Sequence, residues 1–105
     1  MRFVVSKKVF LEALKGVQPA VSRRSTLPIL SGMKLDASAD GITVEATDLE
    51  MAVATHITGD VQVSESGTVV APAGALIKAV GALPVAQVEV ESEENEGRTR
   101  LTVRS

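Results

Sequence analysis

The chain reads as one α+β domain, and three observations lead there. It has 105 residues, enough for one core and too few for two. Short β-branched runs with period-two alternation recur between turn residues, as strands do. Two other segments carry apolar residues at helical spacing, and each is closed by a proline. With 45% hydrophobic and 23% charged residues, the composition is that of a folded globular chain and not of a disordered one.

Residues 2–5 hold Phe3, Val4 and Val5 and form the first strand. Ser6 is placed to cap a helix, because its hydroxyl can accept from an unpaired N–H of the first turn. The helix spans residues 7–17, with Phe10, Ala13, Leu14 and Val17 on one face and Lys8, Glu12 and Lys15 on the other. Gly16 and Pro19 mark its end. Residues 20–28 make a loop carrying Arg23 and Arg24, and residues 29–37 make a strand that Gly32 weakens. Asp40-Gly41 predicts a hairpin turn with positive φ. A strand at 42–46 follows, then a polar turn at 47–50, then a strand at 51–57 with one face buried. Residues 58–66 read as turn. Residues 67–70 make a strand, and Pro72 suits the first turn of a second helix at 73–83. That helix points Leu76, Ile77, Val80 and Leu83 inward, and Pro84 stops it. Strands at 87–91 and 100–104 flank an acidic hairpin tip with Glu91, Glu93, Glu94 and Glu96.

The two helical units echo each other. At an offset of 65, Val4, Val5, Leu11, Gly16 and Pro19 match Val69, Val70, Leu76, Gly81 and Pro84. The order is β-α-β-β-β followed by β-α-β-β, so the second unit is expected to lack its last strand. Phe10, Leu14, Leu76 and Val80 are the expected core of the two helices.

Several function classes drop out. There is no Cys, which excludes disulfides and thiolate zinc sites. Trp and Tyr are absent, so base-stacking platforms are not a main device. No apolar run approaches the ~20 residues of a membrane span, and Met1-Arg2 leads straight into a strand with no signal-peptide core. A soluble cytoplasmic domain is expected. No phosphate-cradling Gly-x-x-x-x-Gly-Lys loop occurs. His56, the single histidine, reads as an ordinary strand residue.

Charge is unevenly placed. Residues 1–35 hold seven basic residues against Glu12, whereas residues 36–105 hold four against twelve carboxylates. A basic segment on an acidic body can draw a polyanion to one surface. Lys8, Lys15, Arg23 and Arg24 are the candidates, since such groups touch phosphates without reading bases. Two other classes stay open on chemistry alone. Asp36, Asp48 and Glu50 could hold Mg²⁺ in a metal-dependent phosphoryl-transfer enzyme, although turn aspartates more often bond to backbone N–H groups. A protein-interaction module unrelated to DNA is the third.

Five segments carry a family resemblance: Met1-Arg2-Phe3-Val4-Val5, Thr26-Leu27-Pro28-Ile29-Leu30, Thr47-Asp48-Leu49-Glu50-Met51, Ala71-Pro72-Ala73 and Leu83-Pro84. Together they resemble the amino-terminal domain of the bacterial DNA polymerase III beta subunit, over the whole of residues 1–105. The resemblance implies a DNA-clamp domain of two βαβββ-like halves, with two helices packed on antiparallel sheets. It implies one domain of a three-domain subunit, two of which close head to tail around double-stranded DNA without reading its sequence. It implies a processivity factor with no active site and no cofactor or metal. The DNA polymerase III catalytic subunit and the clamp loader would bind through later domains. Arg24 matches a position that contacts DNA in the family, Lys8 and Lys15 lie on the helix that would line the bore, Arg23 on the loop beside Arg24 is a further DNA-binding candidate, and Lys78 is the one charge on the second helix. Arg100 is expected near the ring-closing subunit interface. One domain cannot close a ring, so the chain alone is expected to bind short duplex DNA negligibly.

Overall fold

A computed structural model of the chain describes residues 1–21, 32–48 and 50–105. The element order is β1 (Arg2–Ser6), α1 (Lys7–Val17), a 3-10 turn (Gln18–Ala20), β2 (Gly32–Ser38), β3 (Gly41–Thr47), β4 (Ala52–Ile57), β5 (Val61–Glu65), β6 (Gly67–Pro72), α2 (Ala73–Ala82), β7 (Gln87–Asn95) and β8 (Arg98–Arg104). Among the described residues every strand pairing is antiparallel, in two four-stranded sheets ordered β5-β1-β7-β8 and β4-β3-β2-β6.

The internal echo takes physical form in that order. Strands β4, β3 and β2 of the first half share a sheet with β6, the opening strand of the second, which pairs with β2. Strands β8 and β7 of the second half share a sheet with β1, the opening strand of the first, which pairs with β7. Each half lends its first strand to the other's sheet, so neither half has a complete sheet by itself.

Strand alternation builds the core. Met33, Leu35 and Ala37 of β2 face inward while Lys34, Asp36 and Ser38 face out. Ile42, Val44 and Ala46 of β3 and Val88 and Val90 of β7 complete the inner faces. Helix α1 adds Phe10, Ala13, Leu14 and Val17, and α2 adds Ala73, Leu76 and Val80. The four expected helix core residues are all buried. The ring of Phe3 meets that of Phe10 edge to face at 5.7 Å, which locks β1 against α1. The helices pack on each other, α1 also rests on β3 and β4, and α2 rests on β6.

Capping follows the expected chemistry at the start of α1, where the Ser6 hydroxyl accepts from Val9 N–H at 3.4 Å. Four expectations need correction. Residues 58–66 are not all turn, since β5 lies within them and pairs with β1 through Val61 and Val63. The β2–β3 hairpin turns at Ala39-Asp40, both with negative φ, and is not a primed turn centred on Asp40-Gly41. Gly41 has φ +132° for another reason: a Cβ there would overlap the Ile57 carbonyl of β4. The last hairpin is longer than expected and turns at Glu96-Gly97, with φ +52° and +78°, as a two-residue primed turn requires. Glu91 therefore sits within β7 and not at the tip. Finally, Pro72 closes β6 and stands just ahead of α2, which ends at Ala82.

Candidate nucleic-acid interface

Helix α1 turns its apolar stripe to the core, so the opposite stripe faces solvent. Lys8, Glu12 and Lys15 lie on it and are exposed. On α2, Lys78 is exposed amid Gly74, Ala75, Ala79 and Ala82. Among the described residues, Lys8, Lys15 and Lys78 make no hydrogen bond or ion pair. Glu12 forms no ion pair with Lys8 or Lys15. Three ammonium groups on the helix layer are thus free for an external anion. The two helices carry four lysines against Glu12, while the rest of the chain carries twelve carboxylates against seven basic residues.

Lys7 behaves differently from its neighbours. Its ammonium donates to the Gly81 carbonyl at 3.2 Å and the Leu83 carbonyl at 2.6 Å, at the end of α2. Helical phase separates Lys7 from Lys8, since Lys7 is in line with Phe10 and Leu14 beside the core stripe and Lys8 is not, but the bonding partners of Lys7 stand more than 70 residues away.

The solvent face of the β1–β7–β8 sheet holds a second cluster that the sequence reading did not assemble. Arg2 bonds Glu91 at 3.0 Å and Glu89 at 3.2 Å, and Arg104 also pairs with Glu91 and with Glu89. The hydrogen bond from Arg2 chiefly holds the Glu91 carboxyl below the usual carboxylate range, and the charge of Arg104 adds to this. The signal available in sequence was the alternation of Glu89 and Glu91, but their partners come from β1 and β8. Arg100 is exposed on β8 opposite Glu93, an edge strand of this sheet. Arg23 and Arg24 lie outside the described residues.

Two of the carboxylates weighed for metal binding, Asp48 and Asp36, accept hydrogen bonds from the protein itself. One Asp48 oxygen accepts from Met51 N–H at 2.9 Å and Glu50 N–H at 3.0 Å, and these bonds lower the Asp48 carboxyl. Asp36 accepts from the Thr68 hydroxyl at 3.0 Å. Among the described residues, no three His, Asp or Glu side chains are grouped to hold a metal ion. His56 is exposed on β4, and its Nδ1 lies 2.7 Å from the Thr43 hydroxyl.

The family profile described as "DNA polymerase III beta subunit, N-terminal domain" matches residues 1–105 in full. The chain belongs to the DNA polymerase III beta subunit family. The beta sliding clamp of Bacillus subtilis is 35% identical over 97 residues, which are 87% of this chain and 26% of that protein. The beta sliding clamp of Halalkalibacterium halodurans is 32% identical over 101 residues, 90% of this chain and 27% of the relative. Solved structures agree with this beta-subunit fold. The DNA polymerase sliding clamp of Bacillus subtilis superposes with a TM-score of 0.87 at 33% identity, over 97% of this chain and 28% of that one. The C. crescentus beta sliding clamp gives 0.88 at 33% identity, over 99% and 27%. The chain spans about a quarter of the length of the curated relatives it matches. Among the described residues the two helices and the antiparallel sheets expected of the family are present, with three strands after α1 in the first half and the two strands β7 and β8 after α2 in the second, which has the expected β-α-β-β order.

Proposed function

We propose that this chain is the amino-terminal domain of a ring-shaped replicative sliding clamp, a processivity factor that encircles duplex DNA and tethers DNA polymerase III to its template. The observation that carries the reading is the contrast between cations. Lys8, Lys15 and Lys78 project from the helix layer unpaired among the described residues, whereas Arg2 and Arg104 on the sheet face are held by Glu89 and Glu91. A few mobile ammonium groups facing a duplex attract phosphates weakly, without sequence preference and in a salt-dependent way. Weak contact suits a ring, because topology supplies the retention and tight contact would stop sliding. Carboxylates elsewhere discourage DNA from binding the outside.

In this reading the domain catalyses nothing and needs no cofactor. Two three-domain subunits close head to tail in the cytoplasm, with Arg100 near the closing interface. The polymerase catalytic subunit and the clamp loader bind through later domains. Arg24 and Arg23 add to the phosphate-facing set. The test is the salt dependence of DNA contact in the assembled ring. Lys15→Ala and Arg24→Ala should each lower the slope by about one phosphate contact, equally for any duplex sequence. An unchanged slope in both would remove the helix layer from the DNA interface.

A further inference from the structure

Helix α2 is poorly equipped to end itself. Its N-cap is Pro72, which supplies no side-chain bond, its first turn has no acid, and its last turn has no base. Gly74 and Gly81 further weaken it. The cap N–H of Leu83 reaches the Val80 carbonyl at 3.4 Å, and the carbonyls beyond it lie at the negative end of the helix dipole with no helical N–H to follow. The missing cation comes from the other helix. Lys7 Nζ reaches the Gly81 carbonyl at 3.2 Å and the Leu83 carbonyl at 2.6 Å, while the Lys7 backbone N–H donates to the Ala86 carbonyl at 2.9 Å. One residue at the start of α1 thus holds three carbonyls across the α2–β7 connection. Ser6, the residue before it, donates its N–H to the Asp60 carbonyl at 2.9 Å and caps α1 with its hydroxyl. The β1–α1 junction is therefore anchored to two other connections.

We propose that Lys7 is a positioning residue: a clasp that terminates α2 from α1 and fixes the two helices against each other, and not a DNA-contacting cation. This rests on the reading of the helix layer as the phosphate-facing surface. Within it, Lys7 joins the start of α1 to the end of α2, and Lys8, Lys15 and Lys78 meet the phosphates. The division predicts that the four helix lysines yield at most three phosphate contacts.

The substitution to test is Lys7→Met, which keeps the aliphatic stem and removes the charge and donors. Hydrogen exchange in the full-length protein should show the amides of Leu83 and Lys7 exchanging about tenfold faster, as loss of a charge-assisted bond allows local opening. Core amides of β3 should stay as slow as before, because the opening is local. Lys7→Arg should restore part of the protection. In the assembled ring, the DNA salt slope of Lys7→Met should match the parent, while Lys15→Met lowers it. Unchanged exchange at Leu83 and Lys7, or a slope reduced as in Lys15→Met, would overturn the clasp. If neither lysine alters the slope, the DNA-facing reading fails, and the exchange result still decides the clasp on its own.

Discussion

Replacing Gly41 with alanine adds one methyl group and should be among the most damaging small changes in the chain. The backbone there has φ +132°, where a side chain is strained whatever space surrounds it. Space is also missing. The added Cβ would overlap the Ile57 carbonyl oxygen and stand 3.1 Å from Ile57 C and 3.3 Å from Thr58 Cα. All three are backbone atoms of β4 and its end, so no rotamer change relieves them. Either β3 and β4 separate at the Ile42–Ile57 pair, or Gly41 abandons its φ and the β2–β3 hairpin shifts register. Backbone strain of this kind costs about 1–3 kcal/mol. With the disrupted ladder added, the total should be about 3–5 kcal/mol. For a domain of this size that is a fall in Tm of roughly 15–25 °C. The assay is thermal and urea unfolding of Gly41→Ala beside Gly16→Ala. Gly16 lies on the exposed face of α1 with nothing within 4 Å of a built Cβ. There the same methyl group should stabilise by about 0.5–1 kcal/mol, as a helix interior prefers alanine. Equal effects at the two sites, or a Gly41→Ala loss below about 1 kcal/mol, would refute the reasoning.

Other outcomes follow from the same geometry. Leu14 is fully buried between the helices and the sheets, so Leu14→Ala should cost about 2–5 kcal/mol by urea unfolding, with an unchanged m-value. Glu91 and Asp48 both have carboxyls lowered in the folded state, the first chiefly by its bond from Arg2 and the second by the Met51 and Glu50 amides. Their stabilising contribution is complete above the unfolded carboxylate range of about 4. It is lost as the pH falls through that range toward the lower folded values. Glu91→Gln and Asp48→Asn should therefore flatten the acid limb of a stability–pH profile, and a limb as steep as the parent's would count against these bonds.

The helices were legible because their information is local. Phe10, Leu14 and Val17 fix one face of α1, and Leu76 and Val80 fix one face of α2, by spacing alone. The strands with strict alternation, such as Met33 to Ser38, were equally plain. What escaped depends on partners far along the chain. Val61 and Val63 are two apolar residues in a polar stretch, and they become a strand because β1 lies beside them. The Asp40-Gly41 signal found the right hairpin and the wrong cause, since the need for glycine comes from Ile57 on a third strand. Glu91 looked like hairpin solvent because its arginines lie on β1 and β8. Of the candidate interface, the exposure of Lys8, Lys15 and Lys78 followed from helical phase. The same phase sets Lys7 beside the apolar stripe, but its bonds could not be read, because the Gly81 and Leu83 carbonyls are brought to it by α2.

The most direct measurement of the central claim is retention of the assembled ring on DNA of different topology. Rings loaded on closed circular duplex should stay bound for long times at a salt concentration that abolishes simple electrostatic binding. Cutting the same circle once should release them by sliding from the ends. Loss from circular and linear DNA at the same rate would contradict encirclement and leave the lysines of the helix layer as an ordinary phosphate-binding patch.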